Sequence, residues 1–125
     1  MSGLPLTDRD RVRAAVLVHA TADLHGIAAT QLRDTSLLSG LLIAASGAAG
    51  LSTVAAPVVR QLPDEGVAAW MPLDTGWVAM RSFPDRDLLI LDVVAPTSEE
   101  TRKAVEVFTR RLAAREVRSG SHQRG

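Results

Sequence analysis

The stretch VAAWMPLDTGWVAMRSFPDRDLLILDVVA, Val67 to Ala95, decides the fold. Val67 to Leu73 and Trp77 to Phe83 read as two strands around the turn Asp74-Thr75-Gly76. Pro84-Asp85-Arg86-Asp87 reads as a second turn, because proline presets φ and aspartate bonds its own backbone. Leu88 to Ala95, LLILDVVA, is the strongest strand of the chain and nearly apolar on both faces. The turns are too short for a crossover, so the three strands must pair antiparallel.

On the N-terminal side, Pro63-Asp64-Glu65-Gly66 is a further turn, and Leu51 to Leu62 reads as a strand interrupted at Pro57. Asp34 opens a helix, since its carboxylate accepts free backbone N–H groups. Leu37, Leu38, Leu41, Leu42 and Ala45 form its apolar stripe, and Gly50 suits a left-handed cap. Met1 to Asp10 is a polar lead-in. Residues 11–25 hold an alternating core that favours a strand, with a helix over Arg9 to Val18 as its competitor. Beyond Ala95, Thr97 and Glu100 fit a capping box, and Ala104, Val105, Phe108 and Leu112 make the buried stripe of a second helix. The expectation is an α+β fold: a two-layer sandwich, mainly antiparallel sheet with two helices on one face. A single domain covers 1–118, and 119–125, SGSHQRG, is a disordered tail.

Composition excludes several classes of function. The chain has 125 residues, 46% hydrophobic and 22% charged, which suits one globular core. Fourteen basic residues balance fourteen acidic ones, so the excess positive charge that nonspecific nucleic-acid binding needs is missing. No cysteine means no disulfide, no thiolate nucleophile and no cysteine-held metal. The N-terminal MSGLPLTDRDRVR has charges where a signal peptide needs apolar residues, and Leu37 to Leu51 is too short to span a bilayer. A cytoplasmic protein with neither nucleic acid nor membrane as partner is expected.

Generic catalytic signatures are missing from the sequence. It has no G-x-G-x-x-G, no G-x-x-x-x-G-K-[ST] and no G-x-S-x-G. Gly47-Ala48-Ala49-Gly50 lacks a lysine and sits at a helix end whose dipole repels anions. His19 and His25 have only Asp23 nearby, which makes no metal site, and a histidine bonded to backbone is the simpler reading; His122 falls in the tail. Asp92 is the odd residue within LLILDVVA. Buried unpaired it would be costly, so it needs an arginine or a backbone N–H, unless it lines a pocket or a dimer seam.

The spacing of these features resembles the small bacterial S-adenosylmethionine decarboxylases, the pyruvoyl enzymes of spermidine synthesis. Their H-x-x-x-D-x-x-G with a following leucine and acidic residue is similar to His19, Asp23, Gly26, Leu32 and Asp34. Their alanine-rich helix end matches Ala48-Ala49-Gly50, and their P-x-G-V turn resembles Pro63 to Val67 with one residue inserted. Their hallmark E-S-H-x-S-x-H-T-W-P-E lies without gaps over Thr75 to Asp85, and D-V-F-T-C over Asp92 to Pro96. The likeness runs from about His19 to Arg115.

The resemblance implies that the scaffold is kept and the chemistry lost. In the family a serine attacks the preceding carbonyl and leaves a pyruvoyl group. Gly76 stands at that serine, and Thr75 at the glutamate before it. Arg81 stands at the processing histidine, where it stays charged and cannot act as a base. Pro96 takes the place of the cysteine proton donor, and Ala68 that of a second processing serine. The resemblance therefore implies a noncatalytic homologue without a pyruvoyl cofactor and without a metal, serving in regulation, ligand binding or assembly. The alternative is an active adenosylmethionine or amino-acid decarboxylase of polyamine biosynthesis, processed at Thr75 or working through His19, Asp23 or Asp92. Phe83 and Asp85, at the family's tryptophan and glutamate, are candidates for holding a nucleoside or polyamine ligand; the plainer reading makes Phe83 core and Asp85 a turn residue. Family members dimerise through their sheets, which implies a homodimer or a heterodimer with an active paralogue.

Overall fold

The computed structural model describes residues 16–125. The lead-in Met1–Asp10, and all of the competing helix before Val16, lie outside the described residues. The elements run β1 (Leu17–His25), α1 (Ala29–Leu32), α2 (Thr35–Ala48), β2 (Val58–Gln61), β3 (Val67–Pro72), β4 (Trp77–Phe83), a 3-10 turn (Pro84–Arg86), β5 (Leu88–Ala95), α3 (Ser98–Arg111) and β6 (Glu116–Arg124). The strands form one sheet in the order β2-β3-β4-β5-β1-β6, and every neighbouring pair is antiparallel. The helices cover one face, as expected of an α+β two-layer sandwich.

Alternation along each strand sorts the two faces. Ala20, Ala22 and Leu24 of β1, Val78 and Met80 of β4, and Leu89, Leu91 and Val93 of β5 join the core under the helices. From α2 the core receives Leu38, Leu41, Leu42 and Ala45, and from α3 Ala104, Phe108 and, just past the helix, Leu112. Asp34 caps α2 by accepting the Leu37 amide at 3.0 Å. Gly50 follows the helix with φ 72°, where a Cβ would be strained. Thr97 and Glu100 close the capping box of α3. One buried polar joint ties the layers: the Ser82 hydroxyl donates to the Leu32 carbonyl at 2.6 Å and accepts the Val67 amide at 2.8 Å.

Three expectations need correcting. Residues 119–125 are not a disordered tail: Ser119 to Arg124 belong to β6, paired with β1 from Leu17 opposite Arg124 to His25 opposite Glu116. β1 would otherwise be an edge with open backbone groups, and β6 satisfies them. The segment Leu51–Leu62 contributes only Val58–Gln61 as strand, with one isolated bridge from Thr53 to Leu73; Pro57 has no amide to give a ladder. Finally, the single turn of α1 adds a third helix to the two expected.

Candidate functional site

The outer face of the sheet carries most of the positions singled out above. The β3–β4 hairpin closes where the Leu73 amide donates to the Gly76 carbonyl at 2.9 Å, leaving Asp74 and Thr75 as its loop. The Asp74 amide donates to the Ser52 carbonyl at 3.0 Å. Gly76 lies hard against β5, and a Cβ built on it would collide with the backbone carbonyl of Val94. Trp77 pairs with Val94, so Thr75 and Gly76 share an end of the sheet with Ala95 and Pro96. Thr75 is 8% exposed, and its hydroxyl has no hydrogen-bond partner among the described residues.

Ala68 and Arg81 are cross-strand partners further along the hairpin. Arg81 grips Asp64 with two bonds, at 3.1 and 3.3 Å, and donates to the Ser82 carbonyl at 2.7 Å. The Asp64 carboxyl is held below its ordinary value of 3.8, first by the bond from Arg81 and then by the Gly66 amide. The Arg81 guanidinium also lies 4.4 Å from the centre of the Phe83 ring, so one face of that ring is already taken. Asp85 sits exposed in the 3-10 turn. Arg81 lies five positions beyond Gly76, a distance of roughly 17 Å at about 3.4 Å per residue. One chain therefore holds Thr75, Gly76 and Pro96 at one place and Ala68, Arg81 and Phe83 at another.

A second polar group crosses β5, β1 and β6. His19 Nε2 stands 3.1 Å from Asp92 Oδ1 and His19 Nδ1 stands 3.3 Å from Arg124 Nη1. Arginine can only donate, so Nδ1 accepts and Nε2–H donates to the carboxylate. The His122 ring lies 5.1 Å from that of His19, tilted by 46°. Asp92 thus pairs with a histidine, not with the arginine or backbone N–H expected, and His19 bonds to side chains, not to backbone. With both nitrogens engaged, His19 has no free lone pair to serve as a base. Sequence reading missed His122 and Arg124 as its partners. The only local signal was their period-two spacing, which sets both on one face of a strand. Asp23 and His25 lie further along this face of β1, opposite Arg118 and Glu116. Among the described residues no three histidine, aspartate or glutamate side chains group to hold a metal ion.

Two clefts flank these groups. A shallow hollow of about 190 Å³ is bordered by Leu17, Trp77, Val94 and Arg124 on the outer face. A larger groove of about 510 Å³ runs between α3 and β6 on the opposite face, past Thr101, Val105, Ser119 and Ser121. The larger groove meets none of the hallmark positions.

The model of the S-adenosylmethionine decarboxylase family matches residues 18–125. The chain belongs to that family. The decarboxylase match extends to the end of β6, past the Arg115 limit set by the motifs. No curated protein matches the chain. Among solved structures it is similar to the adenosylmethionine decarboxylase from Aquifex aeolicus VF5, with a TM-score of 0.82 and 20% identity over 89% of this chain and 92% of that one. At that identity the likeness shows the decarboxylase fold alone. Among the described residues no helix is long and apolar enough to cross a membrane.

Proposed function

We propose that this chain is a noncatalytic member of the S-adenosylmethionine decarboxylase family that acts in the cytoplasm through assembly or regulation. The observation that carries the reading is Gly76. It has no hydroxyl to attack a carbonyl, and the Val94 backbone fills the space a side chain would need. The neighbouring positions give no substitute: Arg81 is committed to Asp64, and Pro96 and Ala68 have no group that transfers a proton. The residues present do not fit a pyruvoyl group, and no step is derived through one.

The partner we propose is a second copy or an active paralogue, met across the outer face of the sheet. Trp70, Val58, Trp77 and Ile90 stand on that face between 36% and 45% exposed, which is apolar surface a partner sheet would cover. A nucleoside or polyamine ligand at Phe83 and Asp85 would use the face of the Phe83 ring that Arg81 does not cover.

A second reading has one observation in its favour. The buried Thr75 hydroxyl has no partner, which suits an active decarboxylase processed at Thr75 in place of Gly76. Intact mass separates the two. The proposal expects one species near 13.3 kDa; two pieces divided at Thr75, with a keto-acyl group on the new amino end, would overturn it. Thermal melting with S-adenosylmethionine or spermidine tests the ligand, because a molecule that binds only the folded state raises its melting temperature.

A further inference from the structure

β6 is the long open edge of the sheet. One side pairs with β1 over nine residues without a slip in register, and the other side pairs with no strand among the described residues. The opposite edge, β2, has four residues and follows Pro57. Proteins blunt exposed edges with proline, bulges, short strands or charged side chains, those pointing inward included. β6 has no proline or bulge and is nine residues long; its helix-facing residues are Val117, Ser119, Ser121 and Gln123, and its charges, Glu116, Arg118 and Arg124, lie on the outer face, where a suitable register can pair them.

We propose that β6 pairs antiparallel with β6 of a second copy of this chain, about a two-fold axis through Gly120. A two-fold axis perpendicular to the sheet keeps each face on its own side. Residues of the same face must then stand opposite each other, and one residue must lie on the axis. Gly120 is the midpoint of Glu116–Arg124, so this register alone sets the whole strand against its copy. It places Glu116 opposite Arg124 of the second copy, twice by symmetry, and opposite charges across a strand pair attract. An axis through Ser121 would oppose Arg118 and Arg124, two like charges. An axis through Ser119 would leave Arg124 with no strand residue opposite. Gly120 also leaves the axis clear: a Cβ built there meets nothing nearer than Thr21 Oγ1 at 3.9 Å.

The absence of cysteine from the sequence makes a direct test available. Residues directly opposite in an antiparallel pair have Cα atoms about 4.5–5.5 Å apart, within the range that a disulfide bridges. Full-length Gly120→Cys should form a covalent dimer under mild oxidation. It should do so roughly tenfold or more faster than Ser119→Cys or Ser121→Cys alone, since only the axial pair is within disulfide reach. A mixture of those two serine variants should cross-link to each other, because 119 faces 121 across the axis. Two sheets stacked face to face stand about 10 Å apart, too far for the bridge, so this result is independent of the sheet-face partner proposed above. Hydrogen exchange on the unmodified protein gives a second measurement: amides of 117–123 should exchange more slowly as protein concentration rises. A Gly120→Cys chain that stays monomeric, or cross-links no faster than the single serine variants, overturns the proposal, as does exchange in β6 that ignores concentration.

Discussion

The carbonyl oxygen of Val94 occupies the space that a β-carbon on Gly76 would need. Under the noncatalytic reading proposed above, Gly76 therefore differs from a serine in the space around it as well as in lacking a hydroxyl. Placing a side chain at Gly76 means moving β5 backbone at the end of the β4–β5 ladder, where Trp77 pairs with Val94.

Gly76→Ser should for this reason leave the chain unprocessed and less stable. Overpacking a fitted site costs about 1–3 kcal/mol. Intact mass should still show one species, and urea denaturation should show a lower midpoint than the parent protein. A cleaved product would show that the hydroxyl alone was missing.

Ser82→Ala should destabilise the fold through two backbone groups at once. The hydroxyl is buried and serves both the Leu32 carbonyl and the Val67 amide. Leaving buried polar groups unpaired costs about 1–3 kcal/mol each. Ser82→Thr keeps the hydroxyl and should recover part of the loss in the same urea measurement.

His19→Ala should loosen β6 more than the rest of the sheet. His19 links Asp92 on β5 to Arg124 on β6, and a hydrogen bond to a charged group is worth about 1.5–3 kcal/mol. Amides of 119–124 should exchange faster in the variant, while those of Val78 and Leu91 stay slow. Uniform acceleration along all strands would show that His19 supports the whole fold instead.

Acid should remove the contribution of the Asp64–Arg81 pair. The folded-state pKa of Asp64 lies below its ordinary value of 3.8, so the stabilisation is full above that value and is lost as pH falls through the lower folded value. Asp64→Asn should cost a little stability near pH 7 and show a shallower decline below pH ~4. The pair is exposed, so the effect on the melting temperature should be small. Equal acid sensitivity in the two proteins would remove Asp64 from the account.

Much of the architecture was legible from local signals. β3, β4, β5 and both long helices follow from patterns that lie within each segment: Asp34 and Thr97 cap, Gly50 stops, and LLILDVVA can only be a buried strand. The tail SGSHQRG carries almost no apolar signal of its own, and its strand exists because β1 offers a ladder a hundred residues earlier in the chain. The candidate site divides in the same way. Reading the residues one by one shows that Gly76, Pro96 and Ala68 have no reactive group and that Arg81 stays charged. The engagement of Arg81 by Asp64 and Phe83 depends on strands and turns meeting in space.

Side-chain chemistry and local periodicity are properties of the sequence, and they were enough to determine the antiparallel α+β layer and that position 76 carries no side chain. Which groups touch depends on register between strands distant in the chain. The pairing of His19 with Asp92, the place of Arg124 beside it and the Val94 carbonyl over Gly76 were therefore decided only when the sheet closed.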